Sequence, residues 1–119
     1  MVEVVRDWMG EHSGSFGVPI RQNYYAIPAF NRLFLDHRFD NIIEFGSGIG
    51  GFSLFLGLYA KLYKCKFAMF DLYADKVYPD QLCQNILESL GTFYQWNIFD
   101  HEKDIADMMV EGKTLLLCD

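Results

Sequence analysis

Two hydrophobic periods alternate along the last two-thirds of the chain. Short, mainly apolar runs without strict alternation predict buried strands at 41–45, 66–70, 92–96 and 114–118. Apolar residues three and four positions apart predict helices at 51–64, 80–90 (with Gly91 as its C-cap) and 102–110. Strands that are apolar throughout are typical of a parallel sheet with helices on both faces. The pattern therefore predicts an α/β fold with a doubly wound, mainly parallel sheet.

The first 40 residues follow a different pattern. Residues 1–8 predict a short amphipathic helix, and residues 10–17, rich in Gly and Ser, predict a loop or linker. Pro28 suits the first turn of a helix that continues to His37. We expect an N-terminal helical segment at 1–40, acting as a lid, and an α/β domain at 41–119.

The sequence stops directly after the fourth predicted strand, at Asp119. A sheet of this type usually continues further, so we expect a partial domain of a longer protein or a reduced one. Missing strands would leave an exposed sheet edge, and such an edge makes an oligomer possible.

Composition narrows the class of protein. The 119 residues, 51% of them hydrophobic, suffice for one domain with a buried core. A net charge of -6 without a basic stripe argues against a nucleic-acid partner. Three cysteines lack any Cys-x-x-Cys pair, which favours a reducing compartment. No signal peptide or membrane-spanning run is evident, so we expect a soluble cytoplasmic protein.

A glycine-rich loop joins the first predicted strand of the sheet to the following helix. Gly46, Gly48 and Gly51 have the spacing G-x-G-x-x-G, which is shared by dinucleotide sites. Glycines at this point allow a tight turn and let a ligand lie against backbone N–H groups at a helix N-terminus. An acidic residue, Glu44, precedes them, and it would repel the pyrophosphate of a nicotinamide cofactor.

The series Glu44, Gly46, Gly48 and Gly50 resembles motif I of the class I S-adenosylmethionine-dependent methyltransferases. The resemblance covers residues 41–119. It implies a Rossmann-like fold in which the acidic residue faces the amino group of the cofactor's methionine part. It also implies that the loop, including Ser47, lies against S-adenosylmethionine. A carboxylate suits S-adenosylmethionine because this cofactor carries two positive groups, an ammonium and a sulfonium.

The ends of the next two strands supply further candidates. Asp71 closes the second strand about twenty residues past the glycines, where an acid receives ribose hydroxyls in nucleotide-binding folds. The resemblance implies that Leu72 packs on the adenine. It also implies an acid that accepts the adenine amino group after the third strand, where this sequence has Asn97. The nearest acid is Asp100, and an amide oxygen can accept the same hydrogen bond.

Asp119 ends the fourth strand and therefore points toward the region where ligands of open α/β sheets bind. An aspartate here binds a divalent metal in related O-methyltransferases, and Asp119 resembles the equivalent residue of cephalosporin-hydroxylase-like members. Asp119 is therefore either a metal ligand or a terminal carboxylate that has no function. Side chains of the lid segment either close over the cofactor or simply pack: Phe16, Gln22, Tyr24 and Tyr25, with Gly17 among them.

Three functions remain open at this point. The first is methyl transfer from S-adenosylmethionine to a small molecule, with the acceptor and the catalytic base unspecified. The second is an NAD(P)-dependent oxidoreductase, against which Glu44 weighs. The third is a non-catalytic module that binds a cofactor or a partner protein. His12, His37 and His101 show no metal-ligand spacing, and the glycine loop lacks the Lys-Ser/Thr of a nucleotide triphosphatase.

Overall fold

The computed structural model describes residues 14–15, 18–20, 22, 25–48, 50–72, 81–109 and 111–118. The predicted helix at 1–8 lies outside these residues. So do Phe16, Gly17, Tyr24 and Asp119.

A parallel sheet forms the centre of the described chain. A short pair of strands, β1 (Gly14–Ser15) and β2 (Val18–Pro19), precedes this sheet in the chain. The strands of the sheet are β3 (Asn41–Phe45), β4 (Lys66–Asp71), β5 (Thr92–Gln95) and β6 (Thr114–Cys118). Across the sheet they run in the order β5-β4-β3-β6. Every neighbouring pair is parallel. The predicted α/β class and the parallel sheet are confirmed.

Helices connect the strands and precede them. Helix α1 (Ala26–Asp36) comes before β3, with Pro28 in its first turn as predicted. Helix α2 (Gly51–Tyr63) joins β3 to β4, and α3 (Gln81–Leu90) precedes β5. A 3-10 helix (Ile98–Asp100) and α4 (Glu102–Met108) lead from β5 to β6.

The chain order creates a topological switch point. From β3 the chain moves outward to β4 and β5, and it then returns to place β6 on the other side of β3. Ligands of open α/β sheets bind outside the carboxyl ends of the strands at such a point. The loop after β3 therefore begins where a ligand site is expected.

Alternate residues of β3 face two separate cores of the described chain. Ile42 packs with residues of α1, α2 and α3, including Phe34, Leu54 and Leu87. Ile43 packs on the other face with Ile105 of α4. Because side chains of a strand alternate between faces, Glu44 lies on the face of Ile42 and α2. The two covered faces agree with the doubly wound arrangement.

Aromatic rings attach α1 to α2. Phe34 stacks on Tyr59 with ring centroids 4.4 Å apart, and Phe30 meets Phe52 edge-on at 5.1 Å. Phe34 is only 1% exposed, so the helix before the sheet contributes to the same core as α2. None of the described helices has the length and apolar character needed to cross a membrane.

The structure corrects several predicted local features. Residues 10–17 were expected to be a loop, but Gly14–Ser15 (β1) pairs antiparallel with Val18–Pro19 (β2). Backbone pairing across a short connection makes this possible, because Gly and Ser do not prevent ladder hydrogen bonds. The helix predicted at 51–64 and the strand predicted at 92–96 each end one residue earlier. Element ends of this kind depend on local hydrogen bonds that periodicity does not resolve.

Gly91 ends α3, as predicted, and its N–H donates to the Leu87 carbonyl at 3.0 Å. However, its φ is not among the positive values that favour glycine. A Cβ on Gly91 would lie 2.6 Å from the Phe67 carbonyl oxygen. The residue is therefore required by the close approach of the helix end to β4.

Candidate functional site

The loop after β3 turns through left-handed glycines. Gly46, Gly48 and Gly50 have φ of 84°, 57° and 88°. The Gly46 N–H donates to the Phe70 carbonyl at 2.8 Å, and the Gly50 N–H donates to the Ser47 carbonyl at 3.0 Å. Other L-residues pay a steric cost in this conformation, so the glycine series is required by the backbone.

Gly48 is the open point of this loop. An ideal Cβ at Gly48 would have no heavy atom of the described residues within 4 Å. The residue is exposed, although Ser47 before it and Gly50 after it are buried. The backbone therefore borders a space that a side chain would fill and that a ligand can occupy.

Asp71 connects the end of β4 to this loop. Its Oδ2 accepts the Gly48 N–H at 3.0 Å. The register pairs Phe45 with Phe70, so Asp71 extends one residue beyond the paired end of β3. The structure thus brings together two predicted site residues that are 23 positions apart in the sequence.

Glu44 lies in the interior, one residue before the end of β3. It is 3% exposed, and it pairs in register with Met69 of β4 and Leu117 of β6. The Ser53 hydroxyl donates to Glu44 Oε2 at 2.5 Å. A solvated carboxylate at the strand end, the alternative open from the sequence, is therefore wrong.

Ser53 is a residue that the sequence analysis did not select. It is fully buried and stands in the first turn of α2. The available signal was a hydroxyl within the apolar run Gly-Phe-Ser-Leu-Phe-Leu, where a buried polar group needs a partner. The sequence could not identify Glu44 as that partner, because Glu44 is on β3 and Ser53 is on α2. Only the turn of the loop between these elements brings the two side chains together.

Ser47 presents a second buried hydroxyl. The residue is 6% exposed, and its Oγ makes no hydrogen bond to any described residue. A buried polar atom without a partner is costly, at about 1–3 kcal/mol. Its place between Gly46 and Gly48 makes the hydroxyl a candidate ligand contact.

Leu72 follows Asp71 at the end of β4 and is 51% exposed. Gln95 Nε2, from the end of β5, donates to the Leu72 carbonyl at 3.1 Å. This bond joins the ends of the two strands. The side chain of Leu72 consequently offers apolar surface next to Asp71, which is compatible with the predicted packing on a base.

Asn97 and Asp100 lie beyond the end of β5, and both are exposed. The Asn97 side chain accepts the Phe99 N–H at 3.2 Å and so caps the 3-10 helix. The Asp100 N–H donates to the Asn97 carbonyl at 3.0 Å. Both residues are at the correct edge of the sheet, and their contact with an adenine stays a prediction.

The metal prediction rests on Asp119, which is outside the described residues. Among the described residues, no group of three or more His, Cys, Asp and Glu side chains could hold a metal ion. His101 instead stacks on Trp96 with ring centroids 4.0 Å apart, and its Nδ1 lies 3.3 Å from Asp104 Oδ2. Of the proposed lid residues, Gln22 and Tyr25 are described, and Tyr25 is 66% exposed just before α1.

Comparisons with known proteins support the fold. No protein-family model and no curated protein matches the sequence. Solved structures of CmcI are similar to the chain: one with Mg-SAM (TM-score 0.68), an apo-structure (0.69) and one with SAH (0.66). Each is 14% identical and covers 91% of this chain.

The chain spans about half the length of these CmcI structures, at 45% of the first two and 52% of the third. At 14% identity the similarity concerns the arrangement of strands and helices. The sheet order, the glycine loop and this similarity lead to one conclusion. The chain has a Rossmann-like α/β fold that is similar to the fold of CmcI.

Proposed function

We propose that this chain forms the cofactor-binding part of a methyltransferase that uses S-adenosylmethionine and acts on a small molecule. The observation that carries the proposal is the buried Glu44 carboxylate on the strand that leads into the loop with the open backbone of Gly48. Both lie at the switch point of the sheet, where a ligand is expected.

The charge of Glu44 supports this cofactor over a nicotinamide dinucleotide. A buried carboxylate is costly unless hydrogen bonds and an opposite charge compensate for it. S-adenosylmethionine brings an ammonium and a sulfonium to such a loop. The pyrophosphate of NAD would bring two negative charges, which the same carboxylate repels.

Each part of the cofactor has a candidate contact among the described residues. Glu44 would accept the ammonium, and the Ser47 hydroxyl, which has no described partner, would meet the methionine part. Asp71 would accept the ribose hydroxyls, while Leu72 would cover a face of the adenine. Asn97 or Asp100 would receive the adenine amino group, and the backbone of Gly46, Gly48 and Gly50 would border the cofactor.

The bound cofactor supplies an activated methyl group on its sulfonium. The residues of this chain contribute binding and orientation, and such positioning replaces a chance encounter by a fixed geometry. The CmcI structures named with Mg-SAM and with SAH support the same cofactor here. Asp119 is the residue that would bind a divalent metal if the reaction uses one.

Location in the cytoplasm is also part of the proposal. Cys65 and Cys118 are free thiols, which agrees with a reducing compartment. The acidic composition supports a small-molecule substrate over nucleic acid. An oligomer and the division at residue 40 stay predictions.

Isothermal titration tests the proposal. We expect the protein to bind S-adenosylmethionine and S-adenosylhomocysteine, and not NAD. Glu44→Gln should weaken binding of either about 10–100-fold, because a charge-assisted hydrogen bond contributes about 1.5–3 kcal/mol. Glu88→Gln, a matched change at an exposed residue of α3, should leave affinity unchanged.

Binding of NAD without any binding of the sulfonium cofactor would refute the methyltransferase proposal and favour the oxidoreductase. Binding of S-adenosylmethionine without methyl transfer to any small-molecule acceptor would favour the non-catalytic module. Repeating the titration with added Mg²⁺ tests whether a divalent metal contributes to ligand binding.

A further inference from the structure

We propose that Ser53 is a positioning residue, whose hydroxyl orients the Glu44 carboxylate toward the cationic amino group of the ligand. This inference rests on the proposed function, and it assigns a role to a residue that would not itself touch the cofactor.

The hydrogen bond between the two residues is short and fully enclosed. Ser53 is 0% exposed and Glu44 is 3% exposed, and the Oγ–Oε2 distance is 2.5 Å. The geometry is therefore that of a hydroxyl donating to a carboxylate in a water-poor site.

The loop determines where the hydroxyl stands. Helix α2 begins at Gly51, after the left-handed Gly50, and the Leu54 N–H donates to the Gly50 carbonyl at 2.9 Å. Ser53 lies in this first turn of α2, so the turn of the loop determines the direction of its side chain. The same glycines that open space for a ligand thus also place the hydroxyl on Glu44.

The carboxylate needs this restraint because a glutamate side chain has three rotatable bonds. A binding group contributes fully only when neighbours hold it in the productive geometry. Apolar neighbours on the same face, such as Ile42 and Leu54, provide packing without direction. The Ser53 bond supplies direction, because a hydrogen bond constrains the orientation of the carboxylate that accepts it.

A purely structural role for Ser53 leads to a different expectation. Satisfying a buried carboxylate would stabilise the fold, and its loss would affect all ligands alike. Positioning for the amino group affects only ligands that carry this group. Two ligands separate the roles: S-adenosylhomocysteine, which has the amino-acid part, and 5′-methylthioadenosine, which keeps the nucleoside and thioether but lacks it.

The experiment compares the wild-type protein with Ser53→Ala by calorimetric titration of both ligands. We expect affinity for S-adenosylhomocysteine to fall about tenfold, the equivalent of one hydrogen bond. Affinity for 5′-methylthioadenosine should change less than about twofold. Ser89→Ala is the matched control, because Ser89 is exposed and donates to the Ile86 carbonyl within α3, so its loss should alter neither affinity.

A second variant, Ser53→Cys, keeps nearly the same volume and replaces the hydroxyl by a weak donor. If the alanine variant does not fold, Ser53→Cys is titrated with the same two ligands in its place. Equal affinity for S-adenosylhomocysteine in a folded variant overturns the inference, and so does a parallel loss of both ligands. Failure of both variants to fold makes Ser53 structural and also overturns it. If the wild-type protein binds neither ligand, the proposed function itself has failed.

Discussion

A side chain at Gly48 is expected to remove cofactor binding at a modest cost in stability. Gly48 has a φ of 57°, and an ideal Cβ there meets no atom within 4 Å in the part of the chain that the structure describes. The fold is consequently destabilised only by the left-handed conformation, by about 1–2 kcal/mol for an L-residue and somewhat more for a β-branched one. In a domain of this size, that corresponds to a melting temperature about 3–8 °C lower.

Binding should respond far more strongly to Gly48→Val than stability does. The valine side chain would enter the open space in which the proposed cofactor lies against the backbone, so we expect no detectable affinity for S-adenosylhomocysteine. Gly48→Asn provides a less strained variant, because asparagine tolerates the left-handed region. It should retain more stability and still lose at least about 100-fold in affinity, or about 2.7 kcal/mol.

Thermal denaturation and ligand titration on the same samples measure the two effects. Lys103→Ala, an exposed control on α4, should change neither quantity. A folded Gly48→Val protein that keeps wild-type affinity would refute the reasoning, because the loop would then be a tight turn without a ligand. The cofactor assignment would fail with it.

Three further outcomes are expected. Asp71→Ala should weaken S-adenosylhomocysteine binding by about 2–4 kcal/mol in a protein that still folds, because two charged hydrogen bonds are lost; unchanged affinity by calorimetry would exclude Asp71 from the site. Gly91→Ala should show the opposite pattern, with about 1–3 kcal/mol less stability in urea and unchanged affinity, since its Cβ would meet the Phe67 carbonyl oxygen. Burial, with a smaller contribution from the Asp40 carboxylate, raises the pKa of the Cys65 thiol, so peptide mapping at pH 8 should show slower alkylation there than in free cysteine.

The sequence was sufficient for the sheet and for the position of the loop. Runs such as 41–45 and 114–118 became strands at the predicted residues, because mainly apolar runs without strict alternation are typical of strands between two covered faces. The glycine series was equally readable. Its residues adopt backbone angles that few other residues accept, so the requirement is local and is written in the sequence itself.

The relations between distant residues were decided by the tertiary structure. Periodicity put Glu44 at a strand end, but its burial depends on the two neighbouring strands and on α2. The Ser53 bond and the contact between Asp71 and the Gly48 N–H likewise join separate elements. The need for glycine at position 91 arises from the backbone of another strand. Local patterns follow from the preferences of each residue, whereas these contacts exist only after the crossovers have brought the strand ends and helix α2 together in space.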